Sequence, residues 1–590
     1  MTDAGETSKA SLLSLPPEIL DSIATYAATS DSSFSSATPS APCSFLYDSS
    51  VRSSHVVTPP TDLHALQLVC RRLHSLLSLQ SNPRLYARVF RSKFDTAAIG
   101  RRFGKTALAS HNLAKELQRR CTLLKRMRSC VLSAAFRPEG GNSLVEVEES
   151  VTEMLWLAYL MMLENDGLNY EQLCWAQLHS FLALHHAAYM LDGAVQPGYP
   201  SDAVHKALAL HLVYLLTDPE QLAYEPRSEA VEMLFVLRPF VFAAHKFDAY
   251  MAPWTLRNLP QPTNSSSRSS NGTWHEPARA ANGTSTATNP FLADLTPKDR
   301  SCTIQHVCGP LRIAPPILAQ GACFSFFMKV EKDPAVLGMA ALTDPDEGSS
   351  ETTIRQPAAT RSPLSLTSLD HDKDATRLLA CLDARQSPGL PPLFFKGMFE
   401  GIWEGRFSFF DFDSYREMLA GRMRSLYEGP FGEQPQIWKI REKLVKLGPA
   451  QLQGGKGSIL AAGYSSAGAS HGLDLAAGAG DGKGKGKAYL PNDWEQYPRY
   501  QDEDGSERYE ILLSGTGHSA WGRFVVRGRV RSWDGMLIMT KEYRPDGRGK
   551  WLYRGYCVAG GKLVGRWRDT FTPENMYGYE GCFLFQRRGA

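Results

Sequence analysis

Long hydrophobic runs are missing from this sequence of 590 residues. A helix that crosses a bilayer needs about 18 apolar residues in a row. The longest candidate, VTEMLWLAYLMML, contains Glu153 and ends before Glu164. The N-terminus has no basic region followed by an apolar stretch, which a secretory signal requires. We therefore expect a soluble intracellular protein, cytoplasmic, nuclear or both, with no membrane partner.

An excess of charge of one sign and a dense set of cysteines are also missing. The 64 Lys and Arg residues nearly balance the 61 Asp and Glu residues, so the whole-chain charge favours no nucleic-acid partner. The 11 cysteines include no Cys-x-x-Cys pair, and Cys302 and Cys308 lack the further ligands that tetrahedral zinc needs. We predict reduced structural thiols and no metal site.

Motifs for catalysis are absent as well. In IGRRFGKT, Ile99 occupies the position where a phosphate-binding loop needs its first glycine, and Gly515-x-Gly517 lacks a third glycine. Cys557 and Cys582, on predicted strands, have no base nearby in the sequence and are expected to be core thiols. The sequence therefore predicts a protein that is not an enzyme and needs no cofactor, with an unrecognised catalytic site as an alternative.

Four segments are too polar, or too rich in Gly, Ser and Pro, to form a packed core. We predict a disordered insertion, a disordered linker and two flexible insertions, at residues 29–60, 258–300, 344–374 and 448–487. The folded parts that remain are 12–95, 106–257 and 301–590. Helical patterns in the first two parts and strand patterns in the third predict an α+β multidomain fold.

Residues 106–257 carry apolar side chains at helical spacing in successive segments, separated by Asp, Gly and Pro. The many apolar positions predict a central α-helical bundle whose helices are buried on most sides. The histidines that could suggest a metal site in this region are His179, His185, His186, His205, His211 and His245. Because none of them belongs to a His-Glu-x-x-His pattern, we expect hydrogen-bonded core residues and no metal ligands.

Residues 301–590 contain short alternating runs of aromatic and β-branched residues divided by glycine. This pattern, with hairpin signals at Asp534-Gly535 and Gly560-Gly561, predicts an antiparallel meander that curls into a barrel. Helical periodicity over 414–447 predicts one or two helices packed on the barrel, and residues 302–330 are expected to form two or three strands or turns.

Two short motifs in this C-terminal part resemble a known signature. Gly401-Ile-Trp403-x-Gly405 near its start and Gly565-Arg-Trp567 near its end resemble the Gly-x-Trp pattern of lipocalin-like and avidin-like closed meanders. The resemblance implies an architecture and assigns no ligand.

The N-terminal part contains three amphipathic helical patterns. Pro16 and Pro17 open the first, Asp62 begins the second, and Asn82-Pro83 opens the third. Leu-Pro-x-Glu-Ile-Leu, Leu-x-x-Val-Cys-Arg and Leu-Tyr-x-x-x-Phe resemble the F-box, through which substrate receptors bind the Skp adaptor of Skp/cullin/F-box ubiquitin ligases. The order of F-box, helices and β domain is similar to fungal and animal F-box proteins whose C-terminal domain presents the substrate site.

This resemblance implies a substrate-recognition subunit that is linked to the cullin through the adaptor. The ligase then acts by proximity, since it holds a client lysine near the ubiquitin-loaded conjugating enzyme. The residues implied at the adaptor interface are Leu15, Pro16, Ile19, Leu20, Ile23, Leu66, Val69, Cys70 and Leu73. The insertion at 29–60 departs from the family pattern, and it puts adaptor binding in question.

The end of the chain is basic, with 14 Lys and Arg against 6 Asp and Glu from Gly515 to Ala590. Arginines that alternate with aromatics suit a phosphorylated or acidic client, because the guanidinium group binds phosphate and carboxylate bidentately. The predicted client-binding residues are Trp403, Arg523, Arg527, Arg529, Trp533, Arg554, Arg566 and Trp567. A solvated positive face explains the same pattern. The alternative function is small-molecule binding in a lipocalin-like barrel, with the F-box as a regulatory or vestigial module.

Overall fold

A computed structural model describes eight parts of the chain. They are residue 12 and residues 15–29, 59–136, 144–252, 299–332, 362–420, 431–446 and 509–589, with short gaps at 197, 219–221, 223–224, 245, 308, 384–386, 388, 532, 545–548 and 573–577. The predicted disordered and flexible segments lie mainly outside the described residues. Residues 362–374 are an exception, because they are folded.

The N-terminal part forms four helices. These are α1 (Pro17–Thr29), α2 (Thr61–Leu68), α3 (Arg71–Leu77) and α4 (Pro83–Lys93). The second predicted helix is broken at Cys70, whose Sγ accepts a hydrogen bond from the Leu73 amide and caps α3. Asn82 caps α4 in the same way, and its side-chain amide donates to Asp21 of α1. The caps and this cross-link hold α1 and α4 together.

A helical layer follows the N-terminal helices. It contains α5 (Ala97–Phe103), α6 (Ser110–Ser133), α7 (Leu144–Leu163), α8 (Leu168–Trp175), α9 (Leu178–His185), α10 (Asp192–Val195), α11 (Val204–Leu215), α12 (Arg227–Phe242), α13 (Leu318–Lys332) and α14 (Asp372–Ala380). A π-helical turn, His186–Leu191, joins α9 to α10. One continuous hydrophobic cluster runs through this layer, from Leu20 in α1 to the outer face of the C-terminal barrel at Leu584.

The segment after residue 301 differs in part from its prediction. Strands β1 (Cys302–His306) and β2 (Gly309–Ile313) form the expected hairpin, but the prediction of further strands or turns is wrong because α13 follows. Helix α13 buries Phe324, Phe326 and Phe327 and therefore lacks a polar face that would show helical periodicity. The barrel itself begins at Gly401, well after the boundary predicted at residue 301.

The C-terminal part is a closed barrel of eight antiparallel strands, as the meander pattern predicted. The strands are β3 (Gly401–Phe410), β4 (Phe431–Lys446), β5 (Tyr509–Ser519), β6 (Gly522–Val530), β7 (Leu537–Tyr543), β8 (Lys550–Val558), β9 (Lys562–Asp569) and β10 (Glu580–Arg587). Each strand pairs with the next in sequence, and β10 pairs with β3 to close the barrel.

The prediction of a second helix within residues 414–447 is wrong. Helix α15 (Phe412–Leu419) is present, but the second half of 414–447 forms the strand β4. This strand fills the place between β3 and β5, where both neighbours need its backbone hydrogen bonds. Its buried Gln436, Trp438 and Ile440 alternate with a period of two. Ile437 and Leu444 also match a helical spacing, which explains the ambiguity in the sequence.

Glycines bring the barrel strands close together. Gly555 of β8 lies opposite Gly565 of β9. A Cβ atom on Gly555 would lie 2.2 Å from the carbonyl oxygen of Val564, so no larger residue fits there. These glycines therefore permit the tight curvature that closure of the barrel requires.

Aromatic side chains fill the barrel interior, including Trp403, Trp438, Tyr553, Phe583 and Phe585. The turn Pro392–Phe395 covers one end, where Phe395 and Phe399 are fully buried. The Trp403 indole nitrogen donates to the Phe399 carbonyl over 2.8 Å, which fixes this closed end.

A buried polar network joins the N-terminal helices to the helical layer. Arg120 of α6 is fully buried and donates to Glu116 over 2.9 Å and to Glu164 over 3.0 Å. Its guanidinium group lies 5.1 Å from the ring centroid of Phe90 and 5.2 Å from that of Phe94. One side chain thus connects α4, α6 and the end of α7.

The same network reaches the β1–β2 hairpin, because His306 Nε2 lies 2.8 Å from Glu164 Oε1. Burial acts to raise the pKa of Glu164, but the charges of His306 and Arg120 outweigh it and hold the pKa at about 2. The Glu164 carboxylate is therefore ionised in the folded chain. Its negative charge is stabilised by both His306 and Arg120.

Replacing Arg120 with Met is expected to destabilise the fold by about 3 to 5 kcal/mol, because two buried carboxylates lose their cation. Guanidinium chloride unfolding, followed by far-UV circular dichroism, measures this. The matched control is Arg119→Met, which removes a partly exposed arginine from the same Glu116 and is expected to change stability by less than about 1 kcal/mol. Equal losses in the two variants would contradict this account of Arg120.

Candidate functional site

Helix α1 has one buried face and one exposed apolar face. Leu20, Ala24 and Ala28 point into the core. Ile19 and Ile23 are exposed although they are aliphatic. Tyr26, one turn further on, is 73% exposed. Since α1 already packs through its other face, this second face is available to a partner.

The end of helix α2 adds to these exposed residues. Leu68 and Val69 are each 68% exposed, and α2 packs directly against α1. Two short helices with so many large apolar side chains exposed to solvent are unusual for a protein surface without a partner. We call Pro16, Ile19, Ile23, Tyr26, Leu68 and Val69 the N-terminal apolar residues.

The structure divides the predicted adaptor-binding residues into two groups. Leu20 and Leu73 are buried and hold the helices together. The half-buried residues are Leu15, Leu66 and Cys70, and the exposed ones are Pro16, Ile19, Ile23 and Val69. Tyr26 and Leu68 were not predicted, although Tyr26 follows Ile19 and Ile23 at helical spacing and this spacing could have identified it.

The predicted client-binding tryptophans lie in the core. Trp403, Trp533 and Trp567 are buried, and each indole nitrogen donates to a backbone carbonyl, at Phe399, Ser387 and Ser408 respectively. These three side chains are not part of an exposed binding face.

The predicted arginines occupy three environments. Arg529 is buried and donates to Glu510 over 3.1 Å. Arg566 is buried and donates to the carbonyls of Phe240 and Phe247, in and after α12. Arg554 is buried with its guanidinium group 5.5 Å from the ring centroid of Tyr250. Arg523 is exposed and Arg527 is half-buried.

The arginine-rich outer face of β8 and β9 is therefore covered by the helical layer. A further link lies beside it, because Tyr556 donates to Asp534 over 2.6 Å and accepts from the Met251 amide over 2.8 Å. The alternating arginines join the barrel to the helices. Of the eight predicted client-binding residues, only Arg523 and Arg527 keep access to solvent.

The end of the barrel opposite to Phe395 and Phe399 has a different character, and we call it the open end. Strands β3, β5, β7 and β9 finish there, and β4, β6, β8 and β10 begin there. Three aromatic side chains at this end are exposed: Phe412 in α15, Trp521 in the β5–β6 turn and Phe571 after β9. Exposed Arg523 lies at the start of β6, and exposed Arg544 directly follows β7.

Inside the open end lies a buried lysine that the sequence analysis did not single out. Lys541 of β7 is 1% exposed. Its Nζ lies 4.1 Å from the ring centroid of Phe524, 4.5 Å from that of Tyr543 and 5.4 Å from that of Phe407. Three aromatic rings thus surround one amine.

The polar contacts of Lys541 are few. Nζ donates to the Tyr543 hydroxyl over 2.8 Å, and this hydroxyl lies 2.9 Å from Ser519 Oγ. Within the described residues, no carboxylate pairs with the amine. Burial therefore lowers the pKa of Lys541 well below its usual range and favours the neutral amine. Burial also raises the pKa of Tyr543, so its hydroxyl stays protonated.

Replacing Lys541 with Met, which has a similar length and no charge, is expected to stabilise the barrel by about 1 to 3 kcal/mol at neutral pH. In the unfolded chain the lysine is protonated and hydrated, and on folding it must release either the proton or its hydration water, which costs free energy. Methionine avoids this cost. Chemical unfolding followed by tryptophan fluorescence measures the change.

The gain should shrink as the pH rises towards 10.5, because the unfolded lysine then also becomes neutral. Lys550→Met on the same barrel, where the side chain is only half-buried, is the matched control. A loss of stability in Lys541→Met would show that the amine contributes to the fold.

A cavity of about 70 Å³ lies where the helical layer, α14 and the barrel meet. Its lining includes Tyr159, His211, Tyr214, His371, Arg377 and Tyr556. Within the described part of the chain, the Tyr214 hydroxyl and Arg377 Nε have no hydrogen-bond partner. The volume and these polar atoms suit about two water molecules.

Two histidines at this cavity are neutral in the fold. Burial lowers the pKa of His371 and that of His211 to about 4. The unfolded side chains titrate near 6.5. As the pH falls from 6.5 to 4, the unfolded chain binds protons that the folded chain does not, so the fold loses stability in this window.

Replacing His371 with Gln is expected to reduce this acid sensitivity. The slope of unfolding free energy against pH between 6 and 4 should fall by up to about 1.4 kcal/mol per pH unit, because one proton is no longer taken up on unfolding. Urea unfolding at several pH values measures the slope. His111→Gln, at an exposed position, should leave the slope unchanged, and an equal change in both variants would contradict this role of His371.

Other candidate sites from the sequence analysis lie in the core. His185 and His205 contact each other over 2.8 Å, and His211 donates to the Ile317 carbonyl. His245 and Cys308 lie outside the described residues. Cys557 and Cys582 are buried, and burial raises the pKa of both thiols, that of Cys557 to about 12.

The described ranges contain no group of three or more His, Cys, Asp or Glu side chains that could hold a metal ion. None of the helices in these ranges is long and apolar enough to span a bilayer. Comparisons of the chain with protein-family models, with curated proteins and with solved structures found no match.

Proposed function

We propose that this chain is the substrate receptor of a Skp/cullin/F-box ubiquitin ligase and binds the adaptor through its N-terminal helices. The observation that carries the proposal is the set of N-terminal apolar residues. Within the described residues, Ile19, Ile23 and Val69 are exposed while the opposite sides of their helices pack into the core. A partner that buries them gains about 1.5 to 3 kcal/mol for each large side chain.

The client binds at the open end of the barrel in this proposal. Exposed Phe412, Trp521 and Phe571 supply the kind of large rigid contacts that dominate binding interfaces. Arg523 and Arg544 add positive charge for an acidic or phosphorylated client. The helical layer lies between the two sites and is joined to both, through Arg120 on one side and Arg566 on the other.

The chain contributes to ubiquitin transfer by position alone. A client at the open end and an adaptor at the N-terminal helices are held by one continuously packed structure. This raises the effective concentration of a client lysine near the conjugating enzyme. The buried thiols of Cys557 and Cys582 have raised pKa values, which disfavours a thioester intermediate on either of them.

Co-purification of the full chain with the Skp adaptor tests the proposal. The intact chain is expected to bind, and a chain carrying both Ile19→Asp and Val69→Asp is expected to bind at least about 100-fold more weakly, because burying carboxylates without partners costs several kcal/mol. Both positions are exposed, so the fold should be unaffected.

The matched control is Val231→Asp together with Val195→Asp. These valines are also exposed and lie on other helices, so their replacement should leave adaptor binding unchanged. The proposal fails if the intact chain does not bind the adaptor, or if the two double variants bind equally well.

A further inference from the structure

Among the residues that the structure describes, one end of the barrel around Lys541 is blocked, so we consider access to its amine from the other end. It lies inside a closed barrel, and the far end of that barrel is blocked by Phe395 and Phe399. Lys541 is two residues before the end of β7, so it lies near the open end. Among the described residues at this end, Phe407 of β3 lies 5.4 Å from Nζ and contacts Trp521 of the β5–β6 turn, so we take the entrance to lie between this turn and β3.

Trp521 covers this entrance. It lies in the tight turn between Ser519 and Gly522, and its side chain is 39% exposed. Its ring packs on Phe407, with centroids 5.5 Å apart, and on Phe409, with centroids 6.3 Å apart. An aromatic ring already occupies the place between solvent and amine, and another flat apolar group could replace it there.

The surroundings of the amine select one kind of chemistry. An ammonium that binds an anion would need water or a counter-ion, but the nearest groups are the rings of Phe407, Phe524 and Tyr543. A neutral amine in an apolar site is a nucleophile for carbonyl compounds. We propose that the open end of the barrel is a binding site for an aromatic or conjugated aldehyde, held as an imine on Nζ of Lys541.

The reaction needs no oxidant or reductant. The nitrogen lone pair forms a bond to the aldehyde carbon, and the carbonyl oxygen takes up the proton that the nitrogen loses. The hydroxyl group of this carbinolamine then takes up the second proton of the nitrogen and leaves as water, while the nitrogen lone pair forms the C=N bond. The Tyr543 hydroxyl, 2.8 Å from Nζ and in contact with Ser519, is placed to pass the proton to the leaving oxygen.

This inference is independent of the proposed adaptor binding, which depends on the N-terminal helices. It adds a small-molecule ligand at the barrel end where the client is proposed to bind. An aldehyde bound there would displace Trp521 and so change the exposed aromatic surface that the client contacts. The two proposals can therefore fail separately.

Reductive trapping with cinnamaldehyde tests the inference. The full chain is incubated with the aldehyde and sodium cyanoborohydride at pH 7, and the labelled lysines are identified by peptide mass spectrometry. Lys541 is expected to be labelled at least about tenfold faster than exposed Lys115, because only a lysine of lowered pKa is largely neutral at this pH. Lys541→Met should lose this label and keep the slow labelling elsewhere.

Two further variants test the entrance. Trp521→Ala is expected to speed labelling of Lys541 severalfold, because it removes the ring that covers the amine. Leu393→Ala, at an exposed apolar residue in the turn at the opposite end of the barrel, should leave the rate unchanged. The inference is overturned if Lys541 in the folded chain is labelled no faster than Lys115, or if it is labelled only in denaturant.

Discussion

The arrangement of the molecule depends on the hydrogen bonds that join the outer face of the barrel to the helical layer. Arg566 donates to two backbone carbonyls of the helical layer, Phe240 and Phe247, and Tyr556 contacts the Met251 amide. Backbone carbonyls near the end of a helix have no partner inside that helix, so they accept these bonds readily. Each arginine replaces water that the barrel face would otherwise bind, and the same contact buries the apolar residues around it. Barrel and helices therefore pack as one structure with a shared hydrophobic cluster.

Much of the fold could be predicted because its patterns are local. The glycines and hairpin signals predicted a sheet that curls into a barrel. Pro17, Asn82 and Pro83 predicted where the first and last N-terminal helices begin. The errors occur where tertiary context overrides a local pattern. Strand β4 carries apolar residues that suit either a helix or a strand, and only the need of β3 and β5 for a partner decides between them. Helix α13 is buried on most sides, which removes the periodicity that marks a helix.

The candidate sites show the same limit. Alternation predicts that the arginines of β8 and β9 share one face of the sheet, but it cannot show whether that face contacts solvent, a client or another part of the chain. Arg554 and Arg566 meet the helical layer. Lys541 could have been identified from the sequence, because it lies between Met539 and Tyr543 on one face of β7 and both of these neighbours belong to the hydrophobic core of the barrel. A lysine on the inner face of a predicted barrel is a stronger signal than an arginine on its outer face, since only the first conflicts with burial.

Lys541 is the kind of residue that burial disfavours, because no carboxylate among the described residues pairs with its amine. The rest of the barrel interior shows the burial that the sequence pattern predicts. The barrel interior around the amine is built from aromatic rings that pack well, and methionine would fit the same space without a charge to desolvate. Sequences generally lose such groups when stability alone is selected, and they keep them where a reactive or polar group is needed. Around Nζ, the described residues place three aromatic rings, the hydroxyls of Tyr543 and Ser519 and, in contact with Phe407, the indole of Trp521. The open end thus combines a buried amine with exposed aromatic side chains, so that the proposed small ligand inside and the proposed client outside would both contact Trp521.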